Sequence, residues 1–251
     1  MMSKDQYQDF ADRYDLFHGK FGEFKPVYRT FFQRLFVENK IHSVLDCACG
    51  TGHDLYLLYS LGCEVVGSDI SESMLACARK NFKSLDIKIP LHKVDYRLLY
   101  KHIKRKFDAV VCLSSSILHM SDKKEVIKAF LSMRRVLSDN GLLVLTQGTT
   151  DKQWKLKPRF VMASSKKEFS RLFVIDYLER GARYNVLDIW HGKPKPDMKV
   201  WGVDYDQILL KDDYAKLLQL AGFRKIRFYG SYKDEPYSKK ESDTLIAVAH
   251  K

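Results

Sequence analysis

The chain predicts an α/β fold, a doubly wound seven-stranded sheet with an antiparallel β insertion after its fifth strand. Three observations point there. Residues 44–54, Val-Leu-Asp-Cys-Ala-Cys-Gly-Thr-Gly-His-Asp, run an apolar strand into a glycine turn. Short apolar runs then alternate with helix-length amphipathic segments as far as residue 146, the pattern of βαβ units. That rhythm breaks between Lys155 and Leu210, where residues alternate at period two. At 251 residues and 45% hydrophobic, the chain is long enough to close one substantial core. One domain over residues 1–251 is expected, with an N-terminal helical cap over 1–40 and a β-rich insertion over 155–210.

The elements follow in order. Residues 43–48 are short, apolar and followed by glycine, which reads as a buried parallel strand, and residues 54–61 have the length and residue types of a helix. Residues 63–68 supply a second strand ending at Asp69. Ser71 opens a capped helix over 71–81, with Glu72 in its first turn and Met74, Leu75 and Ala78 on one face. Residues 86–91 form a third strand, followed by Asp95 and Tyr96, and residues 107–113 a strongly apolar fourth. An amphipathic helix over 121–137 starts at Ser121 and Asp122 and stops at Asn140-Gly141, before a fifth strand over 142–146. In the insertion, residues 169–178 and 184–190 form a hairpin around Glu179-Arg180-Gly181, and 199–209 add a third antiparallel strand beyond a loop at Pro194, Lys195 and Pro196. The insertion reads as a substrate lid or as an extension of the sheet. A last helix from near Asp212 ends at Ala221-Gly222-Phe223, before strands at Arg224–Tyr229 and residues 244–249.

The chemistry lies at the glycine loop. Gly50 and Gly52 allow a tight turn and let a ligand approach the backbone, and Asp69, about 20 residues on, suits the two hydroxyls of a ribose. A nucleoside is therefore expected. A dinucleotide fingerprint needs a small residue where this chain has Leu55, and a phosphate would be repelled by Asp46. A ligand carrying an ammonium and a sulfonium would welcome that acid, which favours S-adenosylmethionine, with S-adenosylhomocysteine as product. With Asp-x-Ala-Cys-Gly-Thr-Gly at residues 46–52, the sequence resembles the class I S-adenosylmethionine-dependent methyltransferases, whose sheet is Rossmann-like. Asp5-Gln6-Tyr7, Leu16-Phe17-His18-Gly19, Tyr28, Val66-Gly67-Ser68-Asp69 with Met74, and residues 110–119 are most similar to the glycine N-methyltransferase-like group.

The resemblance implies cofactor contacts from Ala48 and Gly50 in the loop, Asp69 at the ribose, Ile70 and Met74 on adenine, Asp95 and Tyr96 at its exocyclic amine, and Leu113 from the fourth strand. Asp46, Gly52 and Asp54 from the loop segment complete the cofactor set. Met74 also reads as a helix-core residue and Asp95 as a turn acid. His119, just past the fourth strand, is the candidate base or orienting donor, or else a cap for the helix that follows. Tyr7, Tyr14, Phe17 and Tyr28 offer oxygens and π faces to a sulfonium, and as helix-face aromatics they would pack on the core instead. Tyr7 and Tyr28 join His119 as catalytic candidates; Tyr14, Phe17, Ser115 and Trp154 are the acceptor candidates.

Departures from the resemblance fall on the acceptor side. Glycine N-methyltransferases place an arginine after the fifth strand for glycine's carboxylate, where this chain has Gly148, and an asparagine where it has Ser115. Their N-terminal arginine aligns with Phe24, with Lys20, Lys25 or Arg29 as substitutes. Loss of a charge-assisted clamp should remove about 1.5 to 3 kcal/mol of carboxylate recognition. The leading function is thus methyl transfer to a small molecule, on an amine nitrogen by family resemblance, with a hydroxyl or carboxylate oxygen as the alternative.

Composition narrows the remaining classes. No apolar run reaches the roughly 20 residues of a membrane span, and the first residues lack a signal peptide's apolar region, which reads as cytoplasmic. Cys47, Cys49, Cys63, Cys77 and Cys112 read as reduced thiols, and Cys47 and Cys49 point to opposite sides of a strand, so no metal site is expected. The net charge of +12 is spread among interleaved acids, as on solvated faces. Residues 114–117, Ser-Ser-Ser-Ile, also stand where nucleic-acid base methyltransferases carry Asn/Asp-Pro-Pro-Tyr, so nucleic acid is not the expected partner. A non-catalytic cofactor-binding domain is the third reading. Sequence sets no oligomeric state.

Overall fold

A computed structural model describes residues 5–17, 21–192 and 195–251, with the side chain of Phe17 outside the description. His18, Gly19, Lys20 and Pro194, singled out above, lie outside the described residues. A short helix α1 (Ala11–Tyr14) and α2 (Pro26–Asn39) precede the alternating run. That run is β1 (Ser43–Asp46), α3 (His53–Ser60), β2 (Glu64–Asp69), α4 (Glu72–Ser84), β3 (Leu91–Lys93), α5 (Leu99–His102), β4 (Phe107–Cys112), α6 (Lys123–Val136) and β5 (Leu137–Gln147). After α7 (Asp151–Leu156) come β6 (Phe160–Ser165), β7 (Phe169–Tyr177), β8 (Ala182–Trp190) and β9 (Asp197–Tyr205). The chain then returns through α8 (Lys211–Leu220), β10 (Arg224–Tyr229) and β11 (Leu245–His250).

Seven strands form one sheet in the order β10-β11-β5-β4-β1-β2-β3, parallel except for β11, which is antiparallel to both neighbours. The winding reverses between β1 and β4, so a crevice opens at their carboxyl ends, where ligands bind in such sheets. The Rossmann-like α/β reading is correct. Two apolar cores lie on the two faces: Cys47 enters one with Leu45 and Phe130, Cys49 the other with Val44 and Phe32. This is the period-two alternation of a strand carried past the end of β1. Ser71 caps α4 by accepting the Met74 N–H at 3.1 Å, and Asp122 caps α6 by accepting from Lys124 and Glu125.

Three expectations about elements change. The third strand is Leu91–Lys93, not residues 86–91: Asp86 sits at φ 52° and Pro90 has no N–H to give a ladder, so Ile87 and Ile89 pack on the core outside the sheet. The fifth strand starts at Leu137, because Asn140 at φ 65° and Gly141 form an irregularity within the strand rather than a break before it. The insertion has four strands, in the order β6-β7-β8-β9. β6 escaped notice because Phe160, Val161 and Met162 run on without alternation.

Candidate active site

A cavity of about 660 Å³ opens where the sheet reverses. Its walls are Cys47, Ala48 and Gly50 after β1, the β2–α4 junction with Met74, residues 95–97 with Lys93 on β3, and Ser116, His119 and Met120 after β4. Asp5, Gln6, Tyr7 and Tyr14 close it from the N-terminal side.

The loop after β1 needs its glycines. Gly50 has φ 52° and Gly52 φ 84°, and a Cβ on Gly52 would lie 2.5 Å from the Phe82 ring. The turn so formed delivers the Gly50 N–H to Asp69 Oδ2 at 2.9 Å, while the Ser71 N–H donates to Asp69 Oδ1, also at 2.9 Å. Burial pushes the Asp69 carboxyl up to about 6 against these two hydrogen bonds. Asp46 is 1% exposed and accepts from the Ala48 N–H at 3.2 Å. Burial first, and then the charges of Asp54 and Asp69, hold its carboxyl well above the usual carboxylate range. Three acids crowd this one loop, and their mutual repulsion adds to burial in favouring the protonated form of Asp46. Arg97 does not offset them, since it is engaged by Asp95 and by Glu125.

His119 ends a single 3-10 turn, Ser116–His119. The cap of α6 is Asp122, so His119 is free of that duty and turns into the cavity, where its Nε2 lies 2.8 Å from the Tyr7 hydroxyl. Its ring also stands 5.1 Å from that of Tyr205. Burial lowers the imidazole to about 4 and raises the Tyr7 phenol, so both are neutral near pH 7.

Of the residues singled out in sequence, Ala48, Gly50, Asp69, Ile70, Met74, Asp95 and Tyr96 line the cavity, with Tyr7, Tyr14 and His119. Others do not. Asp46 is buried behind the loop, Gly52 lies under it against Phe82, and Leu113 is 2% exposed in the core. The Tyr28 hydroxyl donates to Asp54 at 2.9 Å, and its ring packs edge-on to Phe32 and Tyr232. Ser115 Oγ accepts the Gly148 N–H at 3.2 Å, and Trp154 packs on Tyr177. Arg29 is spent on Ser60, which removes it as a carboxylate clamp.

Sequence reading missed what holds the N-terminal segment in place. Asp5 accepts from Ser71 Oγ and Ser73 Oγ, each at 2.9 Å, fastening the segment to the start of α4. The Trp201 indole donates to Gln6 O at 2.9 Å and stacks on Phe10 at 4.3 Å. Beneath them Asp188 takes Arg13 at 2.6 Å and Arg171 at 2.8 Å, with Arg171 and Asp188 fully buried. The insertion is thereby tied to the segment that covers the cavity. Asp5 could have been found as an acid next to Tyr7; the Arg13, Asp188 and Arg171 triad has no local signal.

Known proteins agree with this architecture. A family described as a methyltransferase domain matches residues 44–141. The glycine/sarcosine N-methyltransferase of Aphanothece halophytica is 30% identical over 225 residues, covering 88% of this chain and 80% of its own. An S-adenosylmethionine-dependent methyltransferase from Clostridium acetobutylicum superposes with a TM-score of 0.81 at 19% identity, over 97% of this chain and 98% of that one. The sugar N-methyltransferase from Streptoalloteichus sp. superposes with a TM-score of 0.67 at 21% identity, over 95% of this chain and 92% of that one. The chain belongs to the class I S-adenosylmethionine-dependent methyltransferases, in their glycine N-methyltransferase-like group. It is an enzyme whose methyl donor is S-adenosylmethionine, and the residues present fit that donor: the cavity has the size of a small-molecule site, and Asp69 lines it beside the Gly50 turn, where a ribose can meet its carboxyl.

Proposed function

We propose that this enzyme methylates the amine nitrogen of a small molecule, with Asp69 holding the donor's ribose, Ile70 and Met74 its adenine, and Asp95 and Tyr96 flanking the exocyclic amine. The donor supplies a methyl group on a cationic sulfur. Asp46, behind the loop, holds the turn by accepting the Ala48 N–H rather than by supplying charge, since burial favours its protonated form. Asp54 acts indirectly, held by Tyr28, and Gly52 shapes the turn.

The carrying observation is the neutral Tyr7–His119 pair at 2.8 Å in the cavity wall. An imidazole lowered to about 4 is a poor sink for an alkylammonium proton near 10, since moving it there would cost about 8 kcal/mol. The acceptor therefore enters as the free amine, and His119 with Tyr7 orients its lone pair rather than removing its proton. The relative from Aphanothece halophytica, named for N-methylation, supports nitrogen over oxygen. Glycine itself is disfavoured, because Gly148 stands where the group's arginine would be and, among the described residues lining the cavity, the cations are Lys93 and the already engaged Arg97. Five unpaired thiols suit the reducing cytoplasm. A methyl-transfer screen over amines, amino sugars, hydroxy-aromatics and small acids, read by mass and fragmentation, should give N-methylated product. Methyl on oxygen, or transfer to glycine faster than to every uncarboxylated amine, would overturn the proposal.

A further inference from the structure

A second cavity, of about 400 Å³, lies at the opposite edge of the sheet from the donor crevice. Residues 104–106 enter it just before β4 and residues 134–136 at the end of α6. With 14 residues rising about 1.5 Å each, α6 sets this cavity about 21 Å from the helix end that adjoins His119. Of the nine described residues in its wall, six are cations, Lys104, Arg105, Lys106, Arg134, Arg135 and Lys251, and none is an acid. The chain as a whole sets 43 basic against 31 acidic residues, so this segregation is local.

Two of the six are neutralised from outside the wall, Arg105 by Glu64 at 2.8 Å and Lys251 by Asp139 at 3.2 Å. The other four have no carboxylate partner among the described residues. Three of these are nevertheless held in place. Lys106 Nζ donates to the Arg135 carbonyl oxygen, Arg134 Nε donates to the Gly222 carbonyl oxygen at 3.2 Å, and the Arg135 guanidinium lies 4.4 Å from the centre of the Tyr100 ring. Like charges repel, so a wall that gathers four uncompensated cations around one hollow is arranged for an anion.

We propose that this cavity binds a chain of phosphates, as in inorganic tripolyphosphate or the tail of a nucleoside triphosphate. Its volume is that of a small-molecule site, and the guanidinium forks of Arg134 and Arg135 suit phosphate oxygens. Charge sets the number of phosphates. A terminal phosphate carries about two negative charges and each inner one about one, so three phosphates balance the four free cations. The Tyr100 ring is already engaged by Arg135 and by Lys101 at 6.0 Å, so recognition runs through phosphates rather than a stacked base.

This site is separate from the donor crevice and does not depend on the acceptor. Its test is titration calorimetry of the full chain with sodium tripolyphosphate, ATP, GTP and inorganic phosphate, with and without saturating S-adenosylhomocysteine. The three triphosphates should bind alike within about threefold, inorganic phosphate at least about tenfold more weakly, and S-adenosylhomocysteine should change none of them. Lys104→Ala and Arg135→Ala should each weaken tripolyphosphate about tenfold or more, while Lys124→Ala, an exposed lysine outside the wall, should leave it unchanged. Lys104 makes no ion pair among the described residues, so its variant should keep the parent's melting curve even if Arg135→Ala does not. Absence of tripolyphosphate binding up to about 1 mM overturns the proposal. So do displacement by S-adenosylhomocysteine, equal weakening by Lys124→Ala and Lys104→Ala, a preference of tenfold or more for one nucleotide, and an RNA duplex that outcompetes tripolyphosphate.

Discussion

Asp69→Asn should weaken donor binding and yet stabilise the empty enzyme at neutral pH. Burial raises the carboxyl from 3.8 to about 6, which amounts to about 3 kcal/mol against the folded state once the group is ionised. The folded state holds this proton to higher pH than the unfolded chain does. The contribution is therefore most favourable below about pH 4 and is lost as pH rises through about 6. Asparagine removes the charge but leaves the N–H of Gly50 or Ser71 without its acceptor, about 1 to 2 kcal/mol in the other direction. The balance, about 1 to 2 kcal/mol, corresponds to a rise of about 2 to 8 °C in melting temperature at pH 8, shrinking toward pH 5. Affinity moves oppositely, because at least one charge-assisted bond from a ribose hydroxyl is lost, worth about 1.5 to 3 kcal/mol or roughly 10- to 150-fold. Parent affinity for S-adenosylhomocysteine should climb up to tenfold per pH unit below about 6 and then level, while the variant stays flat. Differential scanning fluorimetry and titration calorimetry across that range read both quantities. An Asn variant that binds as tightly as the parent, or melts lower by the same margin at pH 5 and pH 8, refutes the assignment.

Asp188→Ala strands the buried Arg13 and Arg171 and should cost about 3 to 5 kcal/mol; early cleavage by trypsin in residues 5–17 should accompany the lower melting temperature, and uniform proteolysis instead would show that the tie is not local. Tyr7→Phe should lower kcat roughly tenfold, about 1.4 kcal/mol, with unchanged S-adenosylhomocysteine affinity, and unaltered kcat would remove Tyr7 from the reaction. For His119→Asn, kcat against pH should keep the parent's shape between pH 6 and 9, because the imidazole titrates near 4; loss of an inflection near 6.5 would restore it as a base. Gly52→Ala should melt several degrees lower and bind S-adenosylhomocysteine weakly, since φ 84° and the Phe82 ring both oppose a Cβ; normal binding would mean that the turn tolerates it.

The parts of the site that sequence revealed are those fixed over short stretches of chain. A glycine turn at the end of an apolar strand, an acid closing the next strand and a serine before a helix each follow from local geometry, so Gly50, Asp69 and Ser71 could be placed without coordinates. His119 was legible as a residue but not as a role, because whether it caps a helix or enters the cavity depends on Asp122 taking the cap. Tyr28 and Trp154 misled for a related reason: aromatic rings near a site in sequence are drawn to whatever apolar surface the fold offers, here Phe32 with Tyr232, and Tyr177. The third strand failed at Pro90, where apolar alternation continued after the ladder had lost its donor. The N-terminal fastening was beyond local reading, since it joins residues more than 60 positions apart at Ser71 and 195 apart at Trp201.

Those separations set an order of events during synthesis. Arg13 leaves the ribosome 175 residues before its partner Asp188, about 10 to 35 s at ordinary elongation rates. The Gly50–Asp69 cradle spans 19 residues and is complete long before. A growing chain thus acquires the means to recognise its donor well before the means to enclose it. Chains stalled before residue 188 should leave residues 5–17 open to protease, whereas full-length chains should protect them.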